Sequence, residues 1–281
     1  MDYEFDSEDI PYSMISESTD SETKQLYWDI AIGLQDVDSL KPSSYLLDLS
    51  KDNIEGRKNI KKVKELINEY YKDKDLDNSA IRNEKEADYV STKIVGLIED
   101  SSFSFRPIAL KEIHEDLFKN IYDHSGKYRN CNITKSEFIL NKDSVEYISY
   151  DKIEDNLEYD FKKEKEFDYS NLTIEERIQR ICEFTSSIWQ IHPFFEGNTR
   201  TIAVFIIKYF NNIGYNVNND LFKDNSRYFR NALVRSNYSN RDKNVYPTNE
   251  FLIKFYENLF LGKKHELDSR DLIVKELFDS E

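Results

Sequence analysis

The chain has 281 residues, 39% hydrophobic with 18 Phe and 19 Tyr, enough for one substantial core and an accessory lobe. Only 7 Gly and 5 Pro argue for long helices and against a many-turned sandwich or barrel. Asp and Glu outnumber Lys and Arg by 54 to 39, and a net charge of −15 repels phosphate backbones, which excludes a general nucleic-acid-binding surface.

Residues 1–22 are acidic and Ser-rich and read as a loosely ordered arm; "MDYEFDSEDIPYS" has no apolar h-region and is no signal peptide. Helical spacing begins in "ETKQLYWDIAIGLQDVDSL", where Leu26, Ile30, Leu34 and Val37 recur every three or four residues. Past Pro42, "SSYLLDLSKDNIEG" and "NIKKVKELINEYYKDK" predict two more helices. The polar stretch 72–84 reads as a boundary, so residues 1–85 are expected to form an acidic arm and a helical lobe.

A helix resumes at "KEADYVSTKIVGLIED", and Pro107 opens another in "RPIALKEIHEDLFKNIYD". After Gly126 the residue types change. "YRNCNITKSEFILNKDSVEYISY" is β-branched and aromatic around Asn141-Lys142-Asp143, which predicts a β-hairpin over about 128–150. "LTIEERIQRICEFTSSIWQI" is amphipathic, with Ile174, Ile178, Ile181, Ile188 and Ile191 on one stripe, and Pro193 ends it just after His192. The next helix, 200–213, is apolar nearly all round and is expected at the centre of the core. "NSRYFRNALVRSNY" and "TNEFLIKFYENLFLG" predict two more helices, and "SRDLIVKELF" a short terminal one within a tail at 263–281. The fold class is all-α with one hairpin. The longest apolar run, 202–207, is too short to span a bilayer, and Cys131 and Cys182 read as reduced thiols of a cytoplasmic protein.

The chemistry concentrates in "HPFFEGNTR" at 192–200. Singly, each residue has a plain role: a helix-end His, an Asn N-cap, a Glu196–Arg200 pair one turn apart. Together around Gly197 they point to a site. The first amides of the helix are unpaired and carry the positive end of its dipole, and Gly197 lets a ligand approach the backbone, so Gly197, Asn198 and Thr199 open an anion cradle suited to phosphate. Arg200 adds a charged fork. Glu196 would repel a phosphate unless Mg²⁺ lay between them. His192 titrates near neutrality and is a candidate general base for a hydroxyl.

This stretch resembles the signature of the Fic family, HPFx(D/E)GNGR, and departs from it at a fixed position only at Thr199. "LKEIHEDLFKNIYDHSGKYRNCNITK" and "YFRNALVRSNY" extend the resemblance over about 86–262. It implies a helical core with a hairpin flap, and a protein adenylyltransferase that moves AMP from ATP to a Ser, Thr or Tyr hydroxyl of a target protein, with Mg²⁺. Carried over, His192 would be the base, Phe194 would fix the loop, Glu196 would hold Mg²⁺, and Gly197, Asn198, Thr199 and Arg200 would bind the nucleotide. Tyr228 and Asn231 are candidates for the adenine pocket. Asn132, Ile133, Thr134 and Lys135 would be the flap that docks the target backbone by strand addition.

The family often has a second arginine where this chain has Ala203, and that arginine pairs with an inhibitory glutamate in the pattern (S/T)xxxE(G/N). Here "SKDNIEG" sets Ser50 and Glu55 one residue too far apart, so inhibition through Glu55 is not expected. Another nucleotide or phospho donor, and a degenerate Fic module that only binds, stand as alternatives. Self-modification or homo-oligomerisation stays open; neither nucleic-acid nor membrane partners are expected. His114 is expected to pack near the core, His124 and His265 to lie in loops or at the surface, and Trp28 and Trp189 to be core anchors.

Overall fold

The structure, a computed structural model, describes residues 19–214 and 220–278; most of the expected acidic arm lies outside them. Among the described residues are ten α-helices. They are α1 Ser21–Gly33, α2 Ser44–Ile54, α3 Ile60–Tyr70, α4 Ser79–Glu99, α5 Ile108–Phe118, α6 Ile153–Lys165, α7 Ile174–Ile191, α8 Asn198–Asn212, α9 Leu221–Asn237 and α10 Glu250–Leu261. No membrane-crossing helix is present among the described residues.

Local chemistry starts most of these helices. Asp20, Ser43, Asn59 and Asn78 each accept a first-turn amide, and Thr173 and Glu176 close a capping box at the start of α7. The helices then sort by burial. Every residue of α8 from Asn198 to Phe210 is buried, because α4, α5 and α7 surround it. Helix α9 packs on α1, α7 and α10, and α6 covers α7. The apolar core is continuous from Trp28 to Val274.

A 3₁₀ turn, Leu34–Asp38, follows α1 without a break and rests against α4, α8 and α9. It ends at Ser39 in the left-handed region, φ 59°, and this delivers Asp38 to the start of α8.

Three elements differ from the sequence reading. The reading passes over α6, a strongly charged helix whose only cue is the Ile153, Leu157, Phe161 stripe; all three are buried. "SRDLIVKELF" forms two 3₁₀ turns, Ser269–Leu272 and Lys275–Leu277, in place of a helix. The expected β-hairpin is a loop that doubles back without a ladder, and among the described residues there is no strand. Its arms share backbone-to-backbone hydrogen bonds only near the tip, where Glu137 N donates to Asp143 O at 2.9 Å and Lys142 N to Glu137 O at 2.9 Å. Elsewhere its donors are drawn off. Arg129 N donates to Pro193 O at 2.8 Å, Ile148 N to Gln190 O at 3.4 Å, and Lys135 N to the Ser144 hydroxyl at 3.1 Å. The apolar pattern instead reflects buried Ile139, Leu140 and Val145.

Candidate active site

His192 ends α7 in the left-handed region, φ 48° and ψ 60°, so the chain turns sharply and its ring faces the start of α8. The ring stacks on Tyr147 at 4.0 Å and meets Trp189 edge-on at 5.4 Å. Its Nδ1 is buried without a hydrogen-bond partner. Burial pushes the imidazole pKa well below its ordinary value, and the nearby cations Lys135, Arg230 and Arg129 push the same way. The ring is therefore neutral at pH 7, the form that can take a proton.

Gly197 precedes α8 with φ 78°, and a Cβ there would fall 2.3 Å from the Phe118 ring. Only glycine fits, for both backbone and steric reasons. No side chain caps the first turn of α8, so its leading amides keep their donors. Asn198 does not cap either. Its Oδ1 accepts from Phe194 N at 2.9 Å and its Nδ2 donates to Phe194 O at 2.8 Å, a two-point brace that sets the loop.

Thr199 fills a role that a glycine could not. Its hydroxyl accepts the indole N–H of fully buried Trp189 at 3.0 Å. The departure from the signature thus satisfies a core donor.

The Glu196 side chain is half exposed, with Lys135 Nζ at 3.5 Å, while its backbone carbonyl accepts from His114 Nε2 at 3.0 Å. His114 Nδ1 accepts from Gly126 N at 2.9 Å, which places the ring proton on Nε2. Its ring stacks on buried Phe194 at 3.8 Å with an 11° interplanar angle, and burial pushes its pKa down to about 4. The carboxylate of Glu196 suits Mg²⁺ shared with phosphate oxygens, where one or two protein carboxylates suffice. Among the described residues no cluster of three or more His, Cys, Asp or Glu side chains forms a cage of its own.

Arg200, expected as a charged fork for phosphate, meets carboxylates in this structure. It is buried, with its Nη2 2.9 Å from Asp38 Oδ2 and 2.6 Å from Glu86 Oε1, and its Nη1 3.1 Å from Gln35 Oε1. These carboxylates hold its pKa above the ordinary value despite burial. The cations that do line the cleft are Lys135 and Arg230, the latter bound bidentate to Glu137 at 2.7 Å for both bonds.

Asp38, Lys135, His192, Glu196, Gly197, Asn198, Thr199 and Arg230 together leave about 10 Å³, room for one water at most. A roomier cavity, about 410 Å³, lies at the far end of α8 beside Glu99, Asp100 and Lys208, away from these residues.

Tyr228 and Asn231 are not among the residues lining the cleft. Tyr228 is buried with Asp271 and Glu250 as its charged neighbours, and Asn231 is half-buried. Of the flap residues, Lys135 reaches the cleft, Asn132 and Thr134 are exposed, and Ile133 is half-buried. Asn132 Oδ1 accepts from Tyr150 N at 2.9 Å and so closes the base of the loop. Ala203 is buried in the core. Glu55 is exposed, paired with Arg57, and no part of the cleft.

The sequence reading missed Asp38, Glu86, Arg129, Tyr147 and Arg230. None carries a local signal, since each joins the site from an element distant in sequence. His114, read as a packing residue, is a hydrogen-bonded support of the motif loop.

Residues 104–210 match the Fic/DOC family model. The protein adenylyltransferase VbhT of Bartonella schoenbuchensis is 28% identical over 134 residues, which is 47% of this chain and 26% of that protein. The match thus spans about a quarter of that relative's length. Among solved structures, the type IV secretion system effector protein BepA shares the fold with a TM-score of 0.50 at 20% identity, over 66% of this chain and 62% of that one. The motif at 192–200 and the glycine-led start of α8 both lie within residues 104–210, the stretch that matches the Fic/DOC family.

Proposed function

We propose that the chain is a protein adenylyltransferase that transfers AMP from ATP to a Ser, Thr or Tyr hydroxyl of a target protein. The observation that carries the reading is a neutral His192 imidazole facing a helix start whose leading amides no side chain caps. A base and an anion cradle at one spot suit attack by a hydroxyl on a phosphorus centre.

In this reaction His192 takes the hydroxyl proton as the oxygen attacks the α-phosphorus. The new P–O bond forms, the bond from that phosphorus to its bridging oxygen breaks, and pyrophosphate leaves. The amides of Asn198 and Thr199 orient the phosphates, with Gly197 allowing their approach. Glu196 would hold Mg²⁺, which when bound neutralises phosphate oxygens. Lys135 and Arg230 are the cleft's cations, and with Ala203 in place of a second arginine they are the residues left to meet the remaining phosphate charge. Residues 132–135 would present the target backbone. Tyr228 and Asn231 remain proposed adenine contacts that need the nucleotide to reach past the present cleft lining.

The test is incubation with α- and γ-labelled ATP and Mg²⁺, comparing wild type with His192→Ala. Transfer of α-label that is lost in the variant supports AMP transfer. Transfer of γ-label identifies a kinase-like reaction instead. With neither label transferred, and other nucleotides also inactive, the enzymatic reading is wrong, and calorimetry then decides whether the chain binds nucleotide without turning it over.

A further inference from the structure

Of the three buried arginines among the described residues, two come with carboxylates: Arg180 with Glu164, and Arg200 with Asp38 and Glu86. Arg129 is the exception. It is 2% exposed, and among the described residues no carboxylate pairs with it. Its guanidinium is spent on main-chain carbonyls. Nε donates to His192 O at 2.8 Å and Nη2 to Ile191 O at 3.2 Å, both at the end of α7. Nη1 donates to Cys131 O at 2.8 Å on the outgoing arm of the 128–150 loop, and Nη2 also to Ile148 O on the returning arm. Its own backbone N–H donates to Pro193 O at 2.8 Å.

Two physical facts make this placement specific. The Ile191 carbonyl that ends α7 has no amide partner and lies at the negative end of an 18-residue helix, which stabilises a cation without a counter-ion. A planar guanidinium with five donors can reach three separate chain segments at once, whereas an ammonium offers three donors from one point. The bond to His192 O also secures a residue held in left-handed geometry that a non-glycine adopts reluctantly.

We propose that Arg129 is a positioning residue that locks both arms of the target-docking loop to the backbone of His192, so that one side chain registers the hydroxyl to be modified and its base. This rests on the reading of the loop as the docking element and of His192 as the base. A plain helix cap would make Arg129 matter for stability alone. A register device makes it matter for acceptor use well beyond any effect on nucleotide binding, to which the loop contributes Lys135 alone.

The experiment compares wild type, Arg129→Lys and Arg129→Ala in the full chain. Amide hydrogen exchange over 130–149 is read by mass spectrometry, ATP affinity by calorimetry, and transfer from α-labelled ATP with dephosphorylated casein as an unfolded, hydroxyl-rich acceptor. For Arg129→Lys the loop should exchange at least about tenfold faster, with α8 and α9 unchanged. Transfer to casein should fall about tenfold or more, with ATP affinity falling much less. Millimolar guanidinium, but not methylammonium, should restore loop protection to Arg129→Ala. Loop exchange unaltered in Arg129→Lys, or transfer with wild-type kcat and KM in that variant, overturns the proposal. If wild type transfers no label, the adenylyltransferase reading fails, and the exchange arm still decides whether Arg129 locks the loop. If Arg129→Ala does not fold, Arg129→Lys keeps the decision.

Discussion

Asp38 Oδ2 lies 2.9 Å from Nη2 of Arg200, and Asp38 Oδ1 lies 3.9 Å from Nζ of Lys135, which itself reaches Glu196 at 3.5 Å. One carboxylate from the N-terminal part of the chain therefore engages two cations, one at the motif and one on the loop. It also helps to reduce the cleft to about 10 Å³, far below the several hundred that a nucleotide-sized ligand needs.

Removing that carboxylate should open the cleft. In Asp38→Asn, Arg200 keeps Glu86 as counter-ion, so the buried charge is not stranded, and Lys135 loses one of its two restraints. Titration calorimetry should show ATP binding about tenfold tighter, which corresponds to about 1.4 kcal/mol. Affinity equal to or weaker than wild type would show that Asp38 does not obstruct the nucleotide.

Thr199→Gly restores the signature residue but removes the acceptor of the Trp189 indole N–H. A buried unpaired donor costs about 1–3 kcal/mol, so urea denaturation should show a loss of that order. Thr199→Ser, which keeps the hydroxyl, should lose under about 1 kcal/mol. Equal stability of wild type and the glycine variant would remove the assigned role.

Gly197→Ala combines a strained φ of 78° with a Cβ 2.3 Å from the Phe118 ring. The left-handed penalty for a non-glycine is about 1–2 kcal/mol and overpacking adds about 1–3. The variant should unfold at a clearly lower denaturant concentration, and Phe118→Leu in the same chain should recover part of the loss. No shift in the midpoint would contradict the close packing of α5 against the start of α8.

His114 sets a pH dependence whose sign follows from its pKa of about 4, depressed by burial from the ordinary 6.5. Between these values the unfolded chain holds a proton that the folded chain does not, so stability rises with pH. The contribution is complete above about 6.5 and is lost as pH falls towards 4, at up to about 1.4 kcal/mol per pH unit. A urea series on His114→Gln should show a shallower slope in that window than wild type. Parallel slopes would mean that His114 is protonated alike in both states. The depressed pKa of His192 acts in the same direction and remains in the variant as an internal reference.

Much of this architecture was legible in local patterns. Apolar stripes and prolines marked nine of the ten helices among the described residues, because those signals lie within a turn or two of the residues they govern. "HPFFEGNTR" disclosed an imidazole, a carboxylate, a glycine turn and a helix start, since spacing along one chain segment suffices to place them. Helix α6 was hidden by its charge, and the 128–150 loop imitated a hairpin because β-branched residues suit a buried loop as well as a strand.

The sequence by itself determined the class of the fold and the chemical parts of the site. Only the tertiary structure decided who uses those parts. It gave Arg200 to Asp38 and Glu86, Thr199 to Trp189, Asn198 to Phe194, and the carbonyl of His192 to Arg129. The physical reason is that a side chain's charge or donor set is a property of the residue, whereas its partner is whatever group packing leaves within 3 Å. Buried polar groups must be satisfied, and the groups that satisfy these come mostly from elements far away in the chain.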